Sequence, residues 1–335
     1  MTSTLQLPDA VASPPVTVEH GRGSGAGGWL DTADLAMLGV VIVWAANNVV
    51  VKDALDELTP LAYVGGRFVI VLVLLFGWFG ARRSLRLPDR ADLPLILLAG
   101  LSGYAAYNTL FTFGLEHTSA FSVALLISLG PIFTMLLATA LGTERIRLGQ
   151  WLGIACAAIG VAVFVGNTLR NGAPAAGDLL SLLAAFSFSV YSLATQPLVR
   201  RYGAPAATAW SALVGLIAIL PWAGPAMARQ EWTELSLAGW GALLFASVLS
   251  MLVAYTVWAW AISRRGVGRT VPFLYLVPIL TGIFAALLLN ETFGPLKVVG
   301  GALVLIGVGL VRLTGRGGVA AQTRPVAFSP HLRRR

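Results

Sequence analysis

The sequence predicts an all-α integral membrane protein with ten transmembrane helices in two inverted five-helix repeats. Three observations predict it. Hydrophobic residues form 57% of the 335-residue chain and charged residues only 11%, whereas soluble domains carry about 25% charge. The apolar residues gather in runs long enough to cross a bilayer. A pattern of Pro, Thr, Glu and Gly near the middle of the chain returns, equally spaced, near its end.

A hydrocarbon core of roughly 30 Å asks for roughly 20 apolar residues per helix. On that scale ten spans fall at about 33–52, 60–80, 92–114, 118–141, 147–166, 177–197, 204–224, 236–261, 268–289 and 295–313. Very short breaks flank the fourth span, so the third, fourth and fifth must run antiparallel to their neighbours. The stretch before them (1–32) is rich in Pro, Gly and Ser, lacks the apolar core of a signal peptide and reads as a disordered tail. The stretch after them (314–335) reads likewise, with a basic end suited to anionic lipid.

The net charge of +8 follows membrane orientation rather than nucleic-acid binding. Alternate loops hold Arg22; Arg82, Arg83, Arg86 and Arg90; Arg145 and Arg147; Arg200 and Arg201; Arg264, Arg265 and Arg269; and the C-terminal arginines. The other loops hold only Lys52, Arg170, Arg229 and Lys297. Positive charge is retained inside, which places both termini in the cytoplasm and the protein in a bacterial inner membrane. The single cysteine, Cys156, excludes an intrachain disulfide and a multi-cysteine metal site. Neither a metal nor a cofactor is expected.

The repeat rests on two segments, "LISLGPIFTMLLATALGTERIRLGQWLGIACAAIGVAVFV" and "LYLVPILTGIFAALLLNETFGPLKVVGGALVLIGVGLV". Pro131, Thr134, Glu144, Gly153 and Gly160 align with Pro278, Thr281, Glu291, Gly300 and Gly307, always 147 residues apart (278 − 131, 291 − 144). Upstream, Asn108 and Thr109 align with Tyr255 and Thr256. With five spans per half, 33–166 and 177–313, equivalent helices run in opposite directions, as in many secondary transporters.

These motifs, with "WAANNVVVK" in the first span and the Arg67-Phe68 pair of "TPLAYVGGRFVIVLVLL" in the second, resemble the ten-helix EamA-like branch of the drug/metabolite transporter superfamily. The resemblance covers about 33–313 and implies a carrier of small organic molecules, with many members exporting amino acids or related metabolites. The second half departs from the pattern at "AFSFSVYSLATQP", where Phe188 and Tyr191 stand in place of Trp44 and Asn47.

The candidate pocket residues follow from polarity inside apolar helices. Pro131 and Pro278 each remove a backbone donor and free the carbonyl four residues earlier, those of Ile127 and Leu274. Freed carbonyls survive in a membrane only against protein or a watery cavity. Packing kinks are the plainer role for both prolines. Asn47 and Asn48 diverge by roughly 100° on a helix, so one can seal a helix contact while the other lines a cavity; Asn47, one turn after Trp44, is the better cavity residue. Tyr104, Tyr107, Asn108 and Phe111 make a polar-aromatic stripe. Ser247, Met251, Tyr255 and Trp258 make a matching one, and Tyr191 joins them. Rings with polar tips suit an amphipathic solute, although core packing explains each one singly.

Three charged residues read as structural or gating. Arg67, about seven residues into its helix, either snorkels outward, pairs with Asp53, Asp56 or Glu57, or meets a substrate carboxylate. Glu144 and Glu291 stand at the starts of the fifth and tenth spans, where a carboxylate meets the positive helix end.

The absences narrow the function. No span carries an Asp, Glu or His at its middle, which disfavours a proton pump built on an intramembrane carboxylate. Scarcity of Arg and Lys disfavours phosphorylated substrates. "GLSG" at Gly100–Gly103 matches a rhomboid-protease pattern, but the three histidines (His20, His117, His331) leave Ser102 without a facing base, so the chain is not read as an enzyme. The expected activity is alternating-access transport of small neutral organic solutes, amino acids first and aromatic or bulky apolar ones ahead, in the export direction and without strong ion coupling; an exporter of lipophilic drugs or other metabolites and a channel-like pore are the alternatives. The partners are a small-molecule substrate and the bilayer; "GIACAAIG" and "GGALVLIG" suit self-association or intramolecular packing equally.

Overall fold

In the computed structural model, residues 32–83, 86–142, 145–170, 175–265 and 270–315 are described. Most of both expected tails and Glu144 lie outside them. The described chain is all-helical: α1 (Thr32–Ala54), α2 (Pro60–Arg82), α3 (Arg90–His117), α4 (Ala120–Ala140), α5 (Leu148–Arg170), α6 (Ala176–Tyr202), α7 (Ala204–Arg229), α8 (Leu237–Leu244, continuing to Arg265), α9 (Val271–Tyr275 and Leu276–Leu288) and α10 (Pro295–Gly315). Among the described residues, nine helices are long and apolar enough to cross a bilayer, and a shorter apolar one covers Phe273–Leu288.

Local chemistry sets the boundaries. Pro60 opens α2, where its missing N–H costs nothing. Arg83 closes the same helix in the left-handed region, φ 47°. The Ser119 hydroxyl caps α4 by accepting from the Ser122 amide at 3.1 Å, and Ser236 caps α8 by accepting from Gly239 at 3.0 Å.

Four helices are irregular, and two of them, α3 and α8, carry rings of the candidate pocket. In α3 the segment Gly100–Ala106 is π-helical, and in α8 the segment Phe245–Val253 is too. The last seven residues of the second segment stand 147 positions after the first (247 − 100, 253 − 106). The α4 helix breaks at Ser128–Leu129 and resumes with Gly130-Pro131. The α9 helix is 3-10 over Val271–Tyr275 and turns α-helical at Leu276, just before Pro278. Each proline thus opens a new helical segment instead of bending a continuous one, because it tolerates a first turn and not an interior.

The α5–α10 pair is the most extensive helix contact in the bundle, and backbone meets backbone there. A Cβ on Gly153 would lie 2.7 Å from the Gly307 carbonyl oxygen, and one on Gly307 would lie 2.6 Å from that of Gly153. Gly160 and Gly300 relate in the same reciprocal way, at 2.8 and 2.9 Å. Small residues allow this approach, and dispersion at close range then holds the helices. Cys156 joins the contact, its thiol facing the Leu303 carbonyl at 3.5 Å. The packing is intramolecular, which leaves the two glycine faces unavailable for self-association.

At the face formed by the arginine-poor loops, polar side chains tie the helices together. The Lys52 ammonium at the end of α1 donates to the Leu115 and Thr118 carbonyls at the end of α3, at 2.5 and 3.0 Å, a favourable place for a cation. The Glu57 carboxylate accepts from the Ser236 amide and hydroxyl at 2.8 and 2.6 Å. Those two hydrogen bonds, the hydroxyl's first, hold its carboxyl below the usual range. At the arginine-rich face, Asp92 accepts from Arg201 and the Tyr202 hydroxyl at 2.5 and 2.6 Å.

The glycine contact predicts opposite outcomes for two neighbours on α10. Gly307→Ala should destabilise the protein by about 1–3 kcal/mol, as overpacking does. Gly309→Ala, where an added Cβ meets nothing within 4 Å, should be neutral or stabilising by up to about 1 kcal/mol. Thermal unfolding in detergent would show a lower melting temperature for the first variant and none of that loss for the second.

Candidate functional site

Aromatic rings from five helices converge inside the bundle. Trp44 of α1 meets Tyr255 and Trp258 of α8, with ring centroids 5.2 and 6.1 Å apart. Tyr107 of α3 meets Phe188 of α6 at 5.0 Å, and Phe188 meets Tyr191 at 5.6 Å. Tyr191 stands edge-on to Tyr104 at 5.7 Å, and Tyr104 packs on Phe68 of α2 at 5.8 Å. Trp44, Tyr107, Tyr191, Tyr255 and Trp258 are only half-buried despite these contacts, whereas Tyr104 is buried. The half-buried rings therefore keep surface that a small solute could touch; Tyr104 serves as their backing.

Backbone irregularity positions the rings. A π turn widens the helix and shifts the register of side chains beyond it. The one in α3 directly precedes Tyr107, and the one in α8 directly precedes Ala254–Tyr255. The Trp44 indole N–H donates to the Ser250 carbonyl inside the α8 π segment at 3.1 Å, which fixes that ring.

The adjacent asparagines divide as their angular separation requires. Asn48 donates to the Thr281 hydroxyl of α9 at 3.1 Å and to the Trp44 carbonyl at 3.0 Å. Thr281 in turn donates to the Ala45 carbonyl at 3.3 Å, so Asn48 seals α1 to α9. Asn47 is buried and its side-chain oxygen has no donor among the described residues. A buried amide oxygen left unpaired costs about 1–3 kcal/mol.

Arg67 corrects one expectation. It neither snorkels nor pairs with Asp53, Asp56 or Glu57: it is 7% exposed, and its Nη1 donates to the Asn108 side-chain oxygen at 3.3 Å. None of the ion pairs among the described residues includes it. The geometry explains this, because α2 turns the guanidinium into the bundle toward α3 while Asp53, at the end of α1, and Asp56 and Glu57, beyond it, are exposed.

Glu291 corrects a second. It precedes α10 by four residues, since Pro295 begins that helix, and it caps another one. Its Oε1 accepts from the Ala120 amide at the start of α4, at 2.8 Å, while Oε2 is buried without a donor. Lys297 points to the same place, its ammonium 3.4 Å from the Ser119 hydroxyl and over the Phe164 ring at 5.2 Å. Asp178, fully buried, accepts from the Thr118 and Thr168 hydroxyls at 2.8 and 2.9 Å. Charged groups from α1, α6, α9–α10 and their loops thus gather where α3 passes into α4.

The remaining expected residues fall on either side of this picture. Asn108 is buried and donates to the Gly103 carbonyl at 3.0 Å. Ile127 and Pro131 flank the break in α4, and Leu274 lies in the 3-10 segment before Pro278. The Ser189 hydroxyl of α6 donates to the Gly130 carbonyl at 2.9 Å, so one backbone oxygen of the α4 break is answered by protein. Ser102 donates to Leu98 four residues back, at 2.6 Å, an ordinary helical arrangement. Tyr63, one turn before Arg67 and fully buried with an unpartnered hydroxyl, gave no signal in the sequence beyond its four-residue spacing from that arginine.

The family model for the EamA-like transporter family matches this chain twice, over residues 31–166 and 175–313. A probable terminal-alkyne amino-acid exporter of Streptantibioticus cattleyicolor is 32% identical over 294 residues, covering 86% of this chain and 96% of that protein. Probable amino-acid metabolite efflux pumps of Salmonella typhimurium and Escherichia coli are each 30% identical over 289 residues, covering 82% of this chain and 92% of theirs. One solved crystal structure shares the fold, with a TM-score of 0.57 at 18% identity over 85% of this chain and 98% of its own. With the two family matches together spanning nearly all of the described helices, the chain belongs to the EamA-like transporter family.

Proposed function

We propose that this protein is a secondary transporter that moves small neutral organic solutes across the inner membrane by alternating access. Amino acids are the favoured class, aromatic and bulky apolar ones ahead, and transport runs outward without strong ion coupling. The reading rests on ten spans in two inverted halves, with both termini cytoplasmic. The twofold match of the family model and the 147-residue correspondence of the π segments support that architecture.

The observation that carries the substrate reading is the convergence of half-buried Trp44, Tyr107, Tyr191, Tyr255 and Trp258 inside the bundle. Rings with hydroxyl and indole tips offer an apolar side chain dispersion contacts and offer polar groups hydrogen bonds. Asn47, on the same helix as Trp44, contributes a buried side-chain oxygen without a donor among the described residues. The Ile127 carbonyl, four residues before Pro131, is the group for a substrate ammonium, whereas the expected Leu274 carbonyl is taken by the Leu276 amide; Pro131 and Pro278 serve as the joints about which the helix segments turn. The names borne by the relatives point to the same class of solute.

The distribution of contacts supports loading from the cytoplasm. Lys52, Glu57, Glu291 and Lys297 bind neighbouring helices together at the arginine-poor face. At the other face, the last part of α8 and the 3-10 segment of α9 pack chiefly on α1. Glu144 and Glu291 belong to gating in this scheme, Glu291 by fastening the start of α4.

Reconstitution tests it. Proteoliposomes should show saturable flux of labelled phenylalanine, methionine or leucine, with counterflow, and about the same rate with or without a pH gradient. A flux proportional to concentration without counterflow would indicate a pore. Lipophilic drugs carried while amino acids are refused would indicate a drug exporter.

Variants at the rings refine the site. Asn47→Leu and Trp44→Ala should each reduce phenylalanine flux at least tenfold while the protein remains folded and monodisperse. Flux unchanged in both would return these side chains to a packing role.

A further inference from the structure

Arg67 and its surroundings carry chemistry that the pocket of rings does not use. A guanidinium offers five N–H donors in a planar fork, and among the described residues the hydrogen bond shown for it is the 3.3 Å one to Asn108. Its Nε is fully buried with no acceptor among the described residues. Tyr63, one turn earlier on the same face of α2, is fully buried with its hydroxyl also unpartnered. Two orphaned donors stacked on one helix face describe a place that lacks an acceptor.

Asn108 fixes the direction. Its amide donates to Gly103, five residues back within the π segment of α3, at 3.0 Å. That anchor turns its oxygen toward Arg67 and keeps the guanidinium inside the bundle. Asn108 directly follows Tyr107, whose half-buried ring packs on Phe188 among the converging aromatics. The fork therefore borders the surface that a solute among the rings would reach.

We propose that Arg67 and Tyr63, oriented by Asn108, form a subsite for the carboxylate of the transported solute. The inference rests on the transport reading above and narrows its substrate to molecules with an acidic head and an apolar body. A carboxylate matches one guanidinium in charge and in geometry, accepting two parallel N–H bonds. Phosphate esters, with more charge, would call for further cations. Asn108 is a positioning residue here, since it touches the guanidinium and not the solute.

Four compounds with one phenyl ring and different heads test the subsite: phenylalanine, 3-phenylpropionate, phenylalanine amide and phenethylamine. Binding is measured by calorimetry on the full chain in nanodiscs, and flux of labelled phenylalanine in proteoliposomes. The two carboxylates should bind at least tenfold tighter than the amide and the amine. Arg67→Gln should abolish that preference, and Arg67→Lys should keep part of it. Tyr63→Phe, which retains the ring, should reduce it severalfold and serves if Arg67→Gln does not fold.

A wild-type protein that binds all four alike, or none of them, refutes the subsite, as does a preference that survives in folded Arg67→Gln. If Arg67→Gln does not fold, a preference unchanged in Tyr63→Phe refutes it equally. If 3-phenylpropionate binds with Arg67-dependent preference but phenylalanine is not carried, the subsite stands and the amino-acid reading falls. If phenylalanine and its amide are carried equally well, the transport reading stands and the subsite falls.

Discussion

In hydrocarbon, a backbone or side-chain polar group has no water to turn to, and each must find a partner within the protein. The helices of this chain meet that constraint at three of the points where they depart from regularity. The Gly130 carbonyl at the α4 break takes the Ser189 hydroxyl, and the Gly103 carbonyl in the α3 π segment takes the Asn108 amide. The Ser250 carbonyl in the matching α8 segment takes the Trp44 indole. Irregular backbone is thus stitched to side chains from the same region of the bundle, and the stitching fixes the orientation of the residues that border the rings.

The same constraint separates structural polar groups from candidate functional ones. Asn48 and Thr281 satisfy each other across α1 and α9, and Asp178 is answered by two threonine hydroxyls. Groups of that kind hold helices together at modest gain per contact, typically about 0.6 kcal/mol. Asn47, Arg67 and Tyr63 differ, because each retains a buried atom without a partner among the described residues. Lone unsatisfied groups can be accidents of packing. Two of them, Tyr63 and Arg67, stand one turn apart on the same face of α2, while Asn47 lies on α1.

Much of the fold was legible because lipid imposes simple rules on composition. Runs of apolar residues marked the helices, and Pro131 and Pro278 marked the interruptions in α4 and α9. Glycines 153, 160, 300 and 307 marked a close contact, although nothing in the sequence alone distinguished partnership between α5 and α10 from pairing between two molecules. The π segments were hidden, because no residue type encodes them: Gly100–Ala106 and Phe245–Val253 read as ordinary helix. Their effect on register is why stripes drawn at regular helical spacing mixed buried residues such as Ser247 and Met251 with half-buried ones such as Tyr255. Glu291 was misplaced for a related reason. Its four-residue distance from Pro295 is plain in the sequence, but the helix it caps, beginning at Ala120, is remote in the chain.

Arg67 shows how far a charge can be read before its neighbours are known. A single cation near the end of a helix is compatible with snorkelling, with pairing to the nearby acids at 53, 56 and 57, or with ligand binding. Those acids are occupied or directed elsewhere: Glu57 is bound through both oxygens by Ser236. Burying a cation without a counter-charge is costly, by several kcal/mol even after relaxation, and such a cost is hard to reconcile with a purely structural role when an uncharged residue would pack as well. A counter-ion that is present only during part of a cycle removes the contradiction, since the energy of the unpaired state is then recovered each time a carboxylate enters. An arrangement of that kind also links binding to movement, because α2 carries Arg67 while the aromatic walls belong to α1, α3, α6 and α8. A solute bridging the guanidinium and the rings would draw those helices together, whereas one lacking the acidic head would leave them uncoupled.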